Sequence, residues 1–151
     1  MHAWISDEPG HKNLTIIERD VPTPCEGEVL VRMAAGSLNY RDTFVVDGIA
    51  PGIRPIVPLS CGAGTVEAIG EGVSRVAVGD RVAPLFFQDW MGGPLLAEHQ
   101  LTSLGGGVDG CLAEYMCLRE QGVSKVPAHL SDGQVATLPC AGLTAWNGLN
   151  C

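Results

Sequence analysis

The chain opens on an apolar–polar alternation, and residues 1–6 and 13–19 read as two short strands of period two. Asp7-Glu8-Pro9-Gly10 between them has turn chemistry. Val21-Pro22-Thr23-Pro24 is an extended connector, because proline restricts its own backbone and that of the residue before it. Residues 28–35 form a strongly apolar strand. A polar cluster, Asn39-Tyr40-Arg41-Asp42, follows it, and then Phe44-Val45-Val46, which reads as a short helix. Residues 47–58 are a Pro- and Gly-rich loop. Strands are expected over 62–69, 80–87, 110–118 and 123–126. A long irregular segment runs from Gln88 to Gly107, and loops of that length inside a compact domain are usually functional or mobile. After Pro127 the pattern turns helical. Ser131 is the expected cap with Gln134 three residues on, Pro139 interrupts the helix, and a second helix runs from about Gly142 to the end. Many short strands with Gly and Pro turns, followed by helices, describe a mainly β barrel with C-terminal helices.

Composition narrows the class. A chain of 151 residues is the size of one domain, and a domain that long buries roughly 70% of its unfolded surface. The apolar fraction of 46% argues against disorder. Seventeen acidic residues against nine basic ones give a charge of −8, without a basic block, so nucleic acid and anionic membranes are poor partners. The six cysteines, Cys25, Cys61, Cys111, Cys117, Cys140 and Cys151, contain no Cys-x-x-Cys pair and follow no signal peptide. Reduced thiols in a cytoplasmic protein are the simplest reading. No apolar run approaches the length of a membrane span.

Two stretches carry the candidate chemistry. In Ser37-Leu38-Asn39-Tyr40-Arg41-Asp42, hydrogen-bonding groups cluster at the end of a strand, where binding residues often sit. The plainer reading is that Asn39 and Asp42 cap a helical turn. About a hundred residues on stands Thr137-Leu138-Pro139-Cys140-Ala141-Gly142-Leu143-Thr144-Ala145-Trp146. Together these resemble the medium-chain dehydrogenase/reductase superfamily, and within it the zinc-independent, quinone-reductase-like branch. Pro58-Leu59-Ser60-Cys61-Gly62-Ala63-Gly64-Thr65-Val66, Val78-Gly79-Asp80-Arg81-Val82 and Asp109-Gly110-Cys111-Leu112-Ala113-Glu114-Tyr115 extend the match nearly end to end and in order.

The resemblance implies a GroES-like barrel over residues 1–127. It makes 128–151 the helical start of the connection to a nucleotide-binding domain that this sequence lacks. It implies the substrate-side domain of an NADP- or NAD-dependent oxidoreductase that transfers hydride to a carbonyl, enone or quinone. Asn39, Tyr40 and Arg41 would orient and polarise the acceptor, and Asn39, Asp42 and Thr144 would border the nicotinamide. Asn39, Tyr40 and Thr144 are expected on one concave surface. Arg41 and Asp42 read equally as a structural ion pair, and Thr144 also reads as a helical hydroxyl bonded to its own backbone. Phe44 stands where many quinone reductases carry Tyr. Trp90 and Trp146 read as packing residues, although Trp90 lies in the long loop and is also a candidate pocket residue.

Zinc is the test within this superfamily. The resemblance sets the first ligand, Cys, on Asn39, the second, His, on Ser60 and the third, Cys, on Cys140. Catalytic zinc takes three nitrogen, sulfur or carboxylate donors and keeps one open position, so no zinc is expected. A Cys61–Cys140 pair without a third donor makes a poor site. His2, His11, His99 and His129 are scattered and lack ligand spacing. Gly62-Ala63-Gly64 is not a dinucleotide fingerprint, because Glu67 follows and a strand runs onward. The glycines are expected to permit a bend or bulge, and Gly105-Gly106-Gly107 a flexible turn. A different class remains: a non-catalytic fragment or interaction module that keeps only the fold. Leu138, Leu143, Trp146 and Leu149 recur at helical spacing and are expected to form an exposed apolar face through which the chain self-associates.

Overall fold

A computed structural model describes residues 1–50 and 52–150. Pro51 of the expected loop and Cys151, one of the six thiols and the end of the expected helix, lie outside the described residues. The strands are β1 (His2–Ser6), β2 (Leu14–Glu18), β3 (Glu28–Ser37), β4 (Cys61–Ile69), β5 (Arg81–Pro84), β6 (Tyr115–Arg119) and β7 (Val123–Lys125). The helices are α1 (Tyr40–Val46), α2 (Asp132–Ala136) and α3 (Leu143–Asn150). β1 and β2 pair antiparallel as a hairpin. The other five form one antiparallel sheet in the order β6-β3-β4-β5-β7. Single bridges, Ala3 with Ala113 and Ser6 with Ile56, attach the hairpin to the rest. The result is the mainly β, curled sheet with C-terminal helices that the sequence led us to expect.

Two apolar layers hold the sheet. Val29, Val31, Val66, Val82, Leu104, Met116 and Leu118 fill the larger one, with Met33 packed against it. Ala63, Ala83, Val135 and Ala136 form the smaller one, with Ala35 packed against it. Met33 and Ala35 are two residues apart and would share a face in a regular strand. A register shift between them, where Ala34 has no partner on β4, sends them to different layers. Gly64 makes this possible, since a Cβ there would lie 2.3 Å from the Arg32 carbonyl oxygen. The glycines of β4 therefore serve close packing, as expected from the sequence. Small residues in the second layer let α2 lie directly on the sheet.

Several boundaries differ from expectation. Helix α1 begins at Tyr40 rather than Phe44, so the polar cluster is its first turn. β5 stops at Pro84, and β6 begins only at Tyr115. The 88–107 segment contains a 3-10 helix over Ala97–Thr102. The glycine turn is packed rather than loose: a Cβ on Gly105 would lie 2.8 Å from the Leu59 backbone nitrogen. α2 is capped by Ser131 as expected, and a π-helical turn over Leu138–Gly142, with Pro139 near its start, separates it from α3.

Candidate active site

The polar cluster is built by the turn from β3 into α1. The backbone N–H of Asn39 donates to Asp42 Oδ2 at 2.8 Å, and the N–H of Asp42 returns to the Asn39 carbonyl at 2.9 Å. Of the two caps open in the sequence, Asp42 is therefore one, and the Asn39 side chain makes no cap bond. Asp42 does more than cap. Its Oδ1 accepts from the backbone N–H of Ser60 at 3.1 Å, which ties α1 to the start of β4. At 5% exposure, the carboxylate is satisfied by two backbone amides that water does not reach freely.

The side-chain amide of Asn39 then turns toward β4. Its Nδ2 donates to Ser60 Oγ at 3.2 Å and to the Ser37 carbonyl at 3.4 Å, both long bonds. Ser60 Oγ lies 3.7 Å from Cys61 Sγ. Ser60 is delivered by Leu59, whose backbone sits in the left-handed region at φ 77°. That conformation is disfavoured for a leucine. Backbone packing holds it: a Cβ on Gly110 would lie 2.1 Å from the Leu59 carbonyl oxygen, so only glycine fits there.

Arg41 leaves the cluster in another direction. Its Nη1 donates to the Leu104 carbonyl and its Nη2 to Ser103 Oγ, both at 3.0 Å. The guanidinium stacks over the Phe86 ring at 4.7 Å. Its nearest approach to the Asp42 carboxylate is 3.9 Å, so the ion pair is the looser of its contacts. Burial pushes the Arg41 pKa down, while Asp42 and the thiols of Cys140 and Cys61 oppose this.

Tyr40 is 77% exposed and meets Phe44 edge to face at 4.7 Å. Thr144 lies near the start of α3 and lines a cleft of about 850 Å³ with Phe86, Trp90, Pro139, Cys140 and Leu143. Asn39 and Asp42 line a different cavity of about 280 Å³, with Leu38, Thr43, Leu59 and Leu112. Tyr40 lines neither. The expected meeting of Asn39, Tyr40 and Thr144 on one surface is not what these cavities show. The two stretches are joined instead through Arg41, which neighbours Asn39 in sequence and covers Phe86 of the Thr144 cleft. Sequence reasoning missed Phe86 and Phe87, although Leu85-Phe86-Phe87 extends an apolar strand. It also missed the Asp42–Ser60 bond, which no local signal announces.

The donor set at the expected zinc-ligand positions is an amide, a hydroxyl and one thiol. Asn39 Nδ2 already points at Ser60 Oγ, so two of the three positions bond each other. Burial pushes the Cys61 thiol up, although hydrogen bonds with Ser60 and Asn39 oppose this, and zinc takes the thiolate. Among the described residues, no three His, Cys, Asp or Glu side chains gather as a metal-binding group. These residues do not fit a catalytic zinc.

Comparison with known proteins agrees with the architecture. Residues 25–128 match the alcohol dehydrogenase GroES-like domain family. A zinc-type alcohol dehydrogenase-like protein of Schizosaccharomyces pombe is 41% identical over 143 residues, covering 93% of this chain and 41% of that protein. A crystal structure assigned as an alcohol dehydrogenase of Sinorhizobium meliloti 1021 superposes with a TM-score of 0.88 at 39% identity, over 98% of this chain and 45% of that one. A cobalt- and zinc-bound thermostable alcohol dehydrogenase of Pyrobaculum aerophilum gives 0.84 at 31% identity, over 97% and 47%. The chain thus spans less than half the length of these relatives. With a curled antiparallel sheet, a capped α1 at its mouth and a family match over most of its length, the chain belongs to the alcohol dehydrogenase-like oxidoreductases, as a GroES-like domain.

Proposed function

We propose that this chain is the substrate-side part of an NADPH- or NADH-dependent oxidoreductase that reduces a carbonyl, enone or quinone without zinc. The observation that carries this reading is the Asn39–Ser60 bond, which joins two of the positions where zinc-dependent relatives would hold their metal, with Asp42 bonded to the backbone amides of both. A metal-free site must polarise its acceptor with hydrogen-bond donors aimed at the developing oxyanion. Asn39 Nδ2 is such a donor, and its bonds at 3.2 and 3.4 Å are weak enough to exchange for a ligand oxygen.

A bound nicotinamide cofactor would supply the hydride. In this reading Thr144 contacts its nicotinamide end from the start of α3, and Phe86, Pro139 and Leu143 exclude water from the cleft. Asp42 lines the other cavity with Asn39 and acts by holding Asn39 and Ser60 in place. Arg41 adds positive potential at the junction of network and cleft while its Nη1 holds the Leu104 carbonyl and its Nη2 the Ser103 hydroxyl. Tyr40, at the exposed first turn of α1, is the proton donor: its hydroxyl makes no hydrogen bond among the described residues and is open to a ligand or water. The protein acts in the cytoplasm, on small molecules rather than nucleic acid or membranes. Residues 128–151 lead toward a nucleotide-binding domain.

The test is a fusion. The isolated chain should oxidise NADPH or NADH negligibly with quinones, enones or aldehydes, because among the described residues no phosphate-cradling turn fixes the cofactor. Joining the nucleotide-binding part of the fission yeast relative after residue 151 should restore turnover in the presence of a zinc chelator. Thr144→Val should lower that turnover. Robust activity of the isolated chain, or a fusion that works only with zinc, contradicts the reading.

A further inference from the structure

The Thr144 cleft has one aromatic wall. Phe86 and Phe87 meet edge to face at 4.6 Å, and Phe87 meets Trp90 in the same manner at 5.8 Å. Met91 continues this wall. The indole N–H of Trp90 donates to the Gly93 carbonyl at 3.2 Å, so the residue offers a ligand its ring rather than a donor. Phe86 is already committed to the Arg41 guanidinium. Trp90 is half-buried and ends the row, with His99 tilted against it at 6.3 Å.

The cleft carries little usable charge. None of its lining residues among those described is acidic, and its cation, Lys125, has its Nζ 2.7 Å from Asp80 Oδ2. Arg41 is held by Ser103, Leu104 and Phe86. A charged ligand would lose its hydration there without gaining a partner. At about 850 Å³ the cleft has room for a ring-bearing ligand beside the nicotinamide end that Thr144 would contact.

We propose that this cleft selects uncharged, ring-bearing carbonyl compounds, and that Trp90 determines the selection. The proposal rests on the oxidoreductase reading above for the carbonyl and on the cleft alone for the ring. An aromatic ligand gains stacking or edge contacts that an aliphatic chain of similar apolarity does not. Those contacts correspond to roughly a three- to tenfold difference in affinity.

Binding to the chain as it stands tests this without any cofactor. The probes are 2-acetonaphthone, 2-nonanone and 2-naphthoate, titrated by calorimetry and by amide chemical-shift mapping. The expected result is tighter binding of 2-acetonaphthone than of 2-nonanone by that factor, weaker binding of 2-naphthoate, and shifts centred on residues 86–91. Trp90→Leu should erase the preference for the ring, and Trp90→Phe should keep most of it. Equal affinities for the two ketones, tighter binding of the naphthoate, or shifts confined elsewhere overturn the proposal. So does a preference that survives Trp90→Leu in a protein whose circular dichroism is unchanged. Should the leucine variant not fold, the wild-type affinity ratio and shift map still decide. The two readings fail separately. A fusion without turnover whose cleft still prefers the ring defeats the oxidoreductase reading alone. Turnover of both ketones with equal binding defeats only this one.

Discussion

Asp42 shows how a residue's chemistry can be legible while its role is not. The sequence offered it as a helix cap, as an ion pair with Arg41 and as a cofactor neighbour. The structure gives the cap outright and adds a bond to the Ser60 amide that spacing alone could not place, since the two residues lie on different elements. Asp42→Ala would leave the amides of Asn39 and Ser60 without that acceptor. A hydrogen bond to a charged group contributes roughly 1.5–3 kcal/mol, so urea denaturation should show a loss of that order. A loss well under 0.5 kcal/mol, the range of ordinary surface changes, would mean that the carboxylate is not the tie described. Leu59 was illegible for a related reason. Leucine rarely takes positive φ, and the packing of Gly105 and Gly110 that holds it there comes from a segment nearly fifty residues away.

Elements were legible where a local signal specified them. The alternation of β1 and β2 and the apolar run of β3 needed no tertiary information. Ser131 with Gln134 marked α2, and the structure has both halves of that box: Gln134 N–H donates to Ser131 Oγ at 3.3 Å, and Ser131 N–H to Gln134 Oε1 at 2.9 Å. Ser131→Ala should therefore cost about 1 kcal/mol, read as a lower unfolding midpoint at unchanged m-value. An unchanged midpoint would show that packing of Val135 and Ala136 on the sheet alone fixes α2. The 88–107 segment was illegible because its order is not periodic. Its turns are held by distant partners, such as Arg41 on Ser103 and Leu104, and Phe87 bridged to Ser103. α1 was placed too late because its first turn is polar, and the apolar residues that marked it are only its second half.

At the scale of the molecule, the sheet and its order of elements followed from resemblance and pattern together, whereas the relation between the two candidate stretches did not. Asn39 and Thr144 line separate cavities, and Arg41 over Phe86 links them. The C-terminal face is as apolar and open as its spacing suggested, with Leu143 at 61%, Trp146 at 68% and Leu149 at 85% exposure. An exposed apolar patch of this kind marks a protein contact. We expect the isolated chain to self-associate through it: sedimentation should show a concentration-dependent mass that Trp146→Glu returns to the monomer. A monomer across a wide concentration range would contradict this.

We propose that hydrogen-bond donors, not a metal, polarise the acceptor at this site. Elemental analysis of the purified, dialysed protein tests it most directly. Zinc far below one atom per chain, unchanged by Cys140→Ser, is the expected result. One zinc per chain, lost on Cys140→Ser, would contradict it.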